Sequence, residues 1–323
     1  MGRKLLVVIL FICSLPILLS LDPITYNSSY KAMYESPEGI RFLSYSESWN
    51  EPQLENLYQE LIKNKHGEEI YLLQEVRVMG GSSPTNERIT GIYHPLISSI
   101  TLYNGDQHND VSEYRNTLSH EYGHHFAYTY FPSHHFPFSK WAKLRGLDDV
   151  PVHWNSFLNY SLTVHEWQPQ EIFAEDYVLL YGASDRVELE QDVYTNEGFY
   201  MRTQHKNQKL DNVLGNEELH RFIENETGIR IDEDRKLKTP ELTAVSEENL
   251  TFSVEKKKDV AYRLNGGDYE LYSITDDESG ILTFSNIDIT ENKVISIDVL
   301  DLTTSIGYRT DDIRLHLEEL IEK

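Results

Sequence analysis

Cysteine is almost missing from this chain of 323 residues, because Cys13 is the only one. Cys13 lies within an apolar N-terminal segment, so the rest of the chain can form no intramolecular disulfide. This absence excludes the disulfide-rich scaffolds on which many small secreted domains depend. An exported protein without disulfides is common in Gram-positive bacteria and unusual among small secreted eukaryotic domains.

Positive charge is scarce as well. The chain has 29 lysine and arginine residues against 53 aspartate and glutamate residues, which gives a formal net charge of -24. Nucleic acids and anionic lipids attract lysine and arginine, so this balance argues against electrostatic binding of either. Internal repeats and low-complexity segments are also missing. The acidic excess is most simply a well-solvated surface.

Long apolar runs are confined to the N-terminus. Residues 5–21 are apolar and uncharged and follow Arg3 and Lys4, which is the pattern of an export signal. Leu18 before Ser20 makes a poor cleavage site, and the run has about the minimum length of a membrane span. We therefore expect residues 1–21 to be a signal peptide or an uncleaved membrane anchor. The rest of the chain would be extracellular, either secreted or anchored at the cell surface.

The pattern of the chain changes near residue 240. Before that point, runs rich in β-branched and aromatic residues predict strands at 39–46, 68–81 and 96–106. Helical periodicity predicts helices at 51–67, 109–131, 169–182 and 216–228. After that point, short predicted strands alternate with turns at 259–265, 269–275, 280–286 and 293–300. We expect an α+β domain over residues 22–235 and a small all-β sandwich, resembling fibronectin domains, over residues 240–323.

The segment TLSHEYGHHF, residues 117–126, contains an HExxH motif. On a helix, His120 and His124 lie on one face about one turn apart, whereas His125 points elsewhere. Two imidazoles in this relation can bind Zn²⁺, and Glu121 is placed to take the proton of a metal-activated water. The competing interpretation is an exposed helix that is rich in histidine.

A catalytic zinc site needs a third protein ligand. The predicted helix at 169–182 offers Glu171 and Glu175, one turn apart on the same face. Glu171 can bind the metal, and Glu175 can accept the free N–H of a ligand histidine. For Glu171 the alternative is that a glutamate in the first turn is favoured by the helix dipole.

The pair SHEYGHHF and QEIFAEDY resembles the motifs of the gluzincin zinc metallopeptidases. The closest resemblance is to the branch that contains anthrax lethal factor and the proline-specific endopeptidases of Gram-positive bacteria. The resemblance implies a zincin-like fold with Zn²⁺ bound by His120, His124 and Glu171. It also implies that Glu121 is the general base and that Glu175 supports the ligands from outside. In such proteins the strand before the active helix is an edge strand that binds extended peptide by backbone pairing. The candidate here is SSITLYNG at 98–105. This segment could equally be an edge strand that only ends the sheet.

One position departs from that branch. The branch carries a tyrosine seven residues before the third ligand to stabilise the oxyanion, and this sequence has Val164 there. The neighbouring His165 and the more distant Tyr160 are both candidates for that role, and the sequence does not choose between them.

The resemblance implies a zinc endopeptidase that acts on an unidentified protein or peptide substrate, and the N-terminal segment predicts that it is exported. An alternative of another class is an inactive peptidase-like surface protein whose C-terminal sandwich binds a partner, although Glu121 and Glu175 are both retained. Another divalent metal or another hydrolysis is compatible with the spacing. The sequence does not set the oligomeric state.

Overall fold

The computed structural model describes residues 29–156, 162–184, 193, 210–246, 248–267, 270–276, 278–287 and 293–315. Over these residues the chain is a mixed α/β protein with several sheets. Two compact units take their described residues from Met1–Ala142 with Pro151–Val178, and from Lys143–Val150 with Leu179–Lys323. The predicted export segment, Cys13 and Tyr160 lie outside the described residues. Within the described part of the chain, no helix has both the length and the apolar character that a membrane span requires.

The described residues of the first unit contain one five-stranded sheet with the order β1-β2-β3-β5-β4. The three central strands are parallel, and both outer strands run antiparallel to their neighbours. The strands are β1 (Ala32–Glu35), β2 (Arg41–Ser44), β3 (Glu75–Val78), β4 (Gly91–His94) and β5 (Ser99–Leu102).

The predicted edge strand at 98–105 is wrong in its position within the sheet. β5 is fully buried and pairs on both sides, since Ile100 lies opposite Val76 of β3 and Tyr93 of β4. The edge next to β5 is β4, a strand that the sequence analysis missed. The order of strands in a sheet depends on contacts between residues distant in sequence. The four residues of β4 form too short a pattern to predict a strand.

Five α-helices occur in the described residues. They are α1 (Glu51–Leu61), α2 (Arg115–Tyr130), α3 (Lys140–Leu144), α4 (Pro169–Tyr181) and α5 (Glu217–Thr227). Asp110 and Glu113 form a capping box, which caps a 3₁₀ turn, Val111–Tyr114, that leads into α2. The predicted strand at 68–81 is only half right, because Glu68–Leu72 is a 3₁₀ helix and β3 follows it.

The described residues of the second unit contain α5 and two antiparallel sheets. One sheet has the order β10-β7-β6, and the other has the order β12-β11-β8-β9 with β13 beside β11. The four strands predicted after residue 258 are confirmed as β8, β9, β10 and β11. The strands are β6 (Glu241–Val245), β7 (Asn249–Ser253), β8 (Val260–Asn265), β9 (Glu270–Ile274), β10 (Ile281–Ser285), β11 (Val294–Asp301), β12 (Ile306–Arg309) and β13 (Ile313–Arg314).

Candidate metal centre

Helices α2 and α4 bring together the three residues that the sequence assigns to a metal. One ligand atom from each of His120, His124 and Glu171 lies within 4.8 Å of the other two. Glu171 Oε2 is 3.1 Å from His120 Nε2 and 3.4 Å from His124 Nε2. His124 and Glu171 are buried, and His120 is partly buried. This group could hold a metal ion.

The sequence folds locally in a way that fixes the two imidazoles. They project from the middle of α2 at the i and i+4 positions, and their ring centroids are 4.9 Å apart. His125 points away from them, as expected, with Nδ1 3.0 Å from the Tyr93 hydroxyl and Nε2 2.8 Å from the Glu69 carbonyl oxygen. These contacts anchor α2 to β4 and to the 3₁₀ helix Glu68–Leu72.

A glycine that the sequence analysis did not single out allows α4 to approach α2. A Cβ atom at Gly123 would lie 3.0 Å from both the Cα and the carbonyl oxygen of Ala174, and 3.1 Å from Tyr177 Cβ. The signal was present, because glycine within a helical pattern costs about 1 kcal/mol relative to alanine and often has a packing reason. What the sequence could not supply is the segment that packs there.

Glu175 lies beside His120, as predicted. Its Oε1 is 3.0 Å from His120 Nδ1 while Glu171 occupies the Nε2 side of the same ring. Burial acts to lower the pKa of His120, but the hydrogen bonds with Glu171 and Glu175 raise it well above its ordinary value. Burial would raise the pKa of Glu171, and the nearby His124 together with the hydrogen bonds to His120 and His124 holds it well below its ordinary range.

Glu121 is buried on α2 against the edge strand β4. Its carboxylate accepts a hydrogen bond from the Tyr93 backbone N–H, and burial raises its pKa although His124 and His120 act against the rise. Gly91 leaves space for it, since a Cβ there would lie 2.9 Å from Glu121 Oε1. As at Gly123, the sequence could not show which segment approaches Gly91, so the role of this glycine was not predicted. The result is a carboxylate with raised proton affinity beside the three candidate ligands.

The donor set fits a catalytic zinc ion by its chemistry. Two imidazoles and one carboxylate are a known three-ligand set, and a carboxylate on the far nitrogen of a ligand histidine is the usual outer partner. Without metal, Glu171 and Glu175 together stabilise a protonated His120 ring. Metal binding would require His120 to lose a proton, and the carboxylate neighbours would then hold the ring in the tautomer that can bind the metal. The identity of the metal does not follow from these donors alone.

His165 is also near the candidate ligands. It lies on the 3₁₀ helix Leu162–Trp167, with Nε2 3.1 Å from Glu171 Oε2 and its ring stacked on that of His120 at 6.4 Å. It is not among the three mutually close ligand residues. Its contact is with Glu171, and its role as an oxyanion donor stays a prediction, as does that of Tyr160.

Comparison with models of known protein families found no matching family, and a search of curated proteins found no match at the significance required. The likeness to gluzincins is therefore a resemblance carried by two short motifs.

Proposed function

We propose that this chain is a zinc-dependent endopeptidase of the gluzincin type. The observation that supports the proposal best is the convergence of five groups from α2 and α4. His120, His124 and Glu171 form the candidate ligand set, while Glu121 and Glu175 flank it. A chance HExxH helix would not need both the third ligand and a carboxylate on the far nitrogen of His120.

Each residue then has a distinct task in peptide-bond hydrolysis. The ligand set would hold Zn²⁺, which polarises a peptide carbonyl and lowers the pKa of the attacking water to about 7. Glu121 takes a proton from that water and delivers it to the leaving amine, a task that its raised pKa favours. Glu175, by accepting the N–H of His120 Nδ1, would hold the ring in the tautomer whose Nε2 is available to a metal.

β4 replaces residues 98–105 as the proposed peptide-binding strand. It is the edge of the sheet beside β5, and Tyr93, whose backbone N–H donates to Glu121, belongs to it. An extended peptide can add to such an edge by backbone pairing. Substrate bound along β4 would therefore pass the base and the candidate ligands.

The same proposal includes a zincin-like fold for the peptidase part, a fibronectin-like sandwich for residues 240–323, and export by residues 1–21. The regular strand spacing and the apolar run after Arg3 and Lys4 support these points.

Replacement of Glu121 by glutamine tests the function. Parent and Glu121→Gln proteins should each bind about one equivalent of zinc, and the variant should lose peptide hydrolysis, because the amide cannot accept the water proton. Glu55→Gln, an exposed position on α1, should match the parent in both measurements. Cleavage sites are identified by proteomics with parent and variant side by side. No bound transition metal after zinc-replete expression, or equal cleavage by parent and Glu121→Gln, would remove the proposal.

A further inference from the structure

Tyr128 shares the helix face that carries the candidate ligands. It lies four residues after His124 and eight after His120, so the three side chains follow one another along α2. Its ring centroid is 5.8 Å from that of Tyr93 on β4. The side chain is partly exposed. Tyr128 therefore stands between the ligands and the edge strand.

His135 adds a second polar ring at this place. It lies just after α2, with its ring centroid 5.0 Å from Tyr128 and 3.9 Å from the buried His134. Its side chain, like that of Tyr128, is partly exposed. Tyr128 and His135, here called the Tyr128–His135 pair, thus border the ligand face of α2 without being closed off from solvent.

The hydrogen-bonding groups of the pair are unused within the described part of the chain. Neither the Tyr128 hydroxyl nor a His135 ring nitrogen bonds to a described residue. Other tyrosines around α2 are all engaged, since Tyr122 and Tyr130 donate to Glu69. Nε2 of the neighbouring His134 is likewise buried without a partner among the described residues. Buried polar groups are normally satisfied, so the unpartnered Nε2 of His134 beside the pair points to a molecule that binds there. The partly exposed groups of the pair can exchange water for the polar groups of such a molecule.

The pair carries no net charge near neutral pH. Burial raises the pKa of Tyr128, to which Tyr93 and Glu171 contribute, so its hydroxyl stays protonated and can donate. Burial and the nearby His124 lower the pKa of His135 to about 4, so its imidazole is neutral, with one donor and one acceptor nitrogen. A peptide group presents one carbonyl acceptor and one N–H donor. The pair matches that group better than it matches a carboxylate or an ammonium ion.

We propose that the Tyr128–His135 pair is a substrate-binding element that hydrogen-bonds a backbone peptide group of an extended substrate next to the cleaved bond. This inference rests on the proposed peptidase function and deepens it. Substrate along β4 reaches the pair because Tyr128 packs against Tyr93 of that strand. Recognition of backbone by the pair is independent of side-chain sequence.

Two hydroxamate probes of different length test the proposal. Acetohydroxamate reaches only the metal, whereas a pool of N-acetyl tripeptide hydroxamates with randomised side chains also carries peptide groups. Affinities are measured by calorimetry on the zinc-loaded full chain. Tyr128→Phe and His135→Phe should each weaken the tripeptide pool about 3- to 10-fold, the effect of one hydrogen bond, and leave acetohydroxamate unchanged.

Tyr130→Phe is the matched control on the same helix. Its hydroxyl donates to Glu69, so the variant should lose thermal stability and keep both probe affinities. Zinc affinity, determined with a competing chelator, should be the same in all the proteins. Unchanged tripeptide binding in both Tyr128→Phe and His135→Phe would overturn the proposal and leave the peptidase function standing. A zinc-loaded parent that binds neither probe would overturn both this proposal and the peptidase function. If His135→Phe does not fold, His135→Asn replaces it.

Discussion

At the residue scale, Glu175 separates a supported metal centre from a coincidental HExxH motif. Its carboxylate is 3.0 Å from His120 Nδ1, on the ring edge opposite the candidate metal position. We predict that Glu175→Gln keeps the fold but weakens zinc affinity or turnover about 10- to 100-fold, as loss of an outer partner usually does. Competition with a chelator measures the affinity.

The control for Glu175 needs an exposed carboxylate. Asp176, the adjacent residue on α4, is buried, so its replacement would disturb packing as well as charge. Glu55→Gln is exposed and serves better. Parent-like affinity and turnover in Glu175→Gln would exclude Glu175 from the site and weaken the case for Glu171.

Protons should compete with zinc for His120. The pKa of His120 without metal is raised well above its ordinary value, so the imidazole is protonated over a range that extends above pH 6.5, and metal must displace that proton. The pKa of Glu171 is held low, so this carboxylate does not compete in the same range. Zinc affinity should fall about tenfold per pH unit below the pKa of His120, measured from pH 8 to pH 6 and corrected for the chelator. Affinity independent of pH over that range contradicts the assignment of His120.

At this scale, the sequence predicted the residues whose relative positions depend only on neighbours in the same helix. His120, His124, Glu171 and Glu175 are fixed by spacing within two helices, and a helix has a known periodicity. The role of Gly91 depends on Glu121 approaching from a different element, and no pattern around Gly91 encodes that approach. The residues of the candidate metal group were therefore predictable, and the glycines that permit the close packing around them were not.

At the element scale, the packing of α4 on α2 sets the distance from Glu171 to the histidines. Gly123→Ala would place a Cβ 3.0 Å from the backbone of Ala174, and backbone cannot yield as a flexible side chain can. We predict a loss of about 1–3 kcal/mol in unfolding free energy, as for other overpacked sites, together with weaker zinc binding. Denaturant unfolding and chelator competition measure the two effects.

Whether Gly123→Ala lowers or raises the unfolding free energy shows whether the site is crowded. Alanine is the better helix former by about 1 kcal/mol, so an uncrowded site would gain stability from the change. Gly81→Ala is the control, because its Cβ would meet nothing within 4 Å. A Gly123→Ala protein that is more stable than the parent and binds zinc equally well would show that the helices do not need this glycine.

Elements differed in how well their sequence described them. α1 was predictable because Leu54, Leu57 and Leu61 are all buried on one face and Asn50 begins it with a capping box. The 3₁₀ helix Glu68–Leu72 was mistaken for strand because its apolar residues are too few to show a period. Its position depends on Glu69, which accepts hydrogen bonds from Tyr122 and Tyr130, 53 and 61 residues away in the chain.

At the scale of the whole molecule, composition and pattern predicted a mixed chain of helices and sheets, and that level is confirmed. The names of the two folds stay predictions. A fold name depends on how strands pair over long separations, as the position of β5 between β3 and β4 illustrates. Periodicity reports which residues are buried but not which strand lies next to which.

Zinc should stabilise the first unit, because all three candidate ligands belong to it. A metal that binds only the folded chain adds about 2.7 kcal/mol when free zinc is 100-fold above its dissociation constant. For a unit of this size each kcal/mol raises the melting temperature by roughly 2–4 °C, so calorimetry should show a rise of about 5–10 °C.

The net charge of -24 complicates this measurement, because any divalent cation reduces self-repulsion of an acidic chain. Mg²⁺ at the same concentration supplies that general effect without the affinity of zinc for imidazole. In the parent, zinc should therefore raise the melting temperature more than Mg²⁺ does. In His124→Ala, which lacks one candidate ligand, zinc should raise the melting temperature only as much as Mg²⁺ does. Equal shifts from the two ions in the parent would mean that the histidine–glutamate group does not bind zinc in the folded protein.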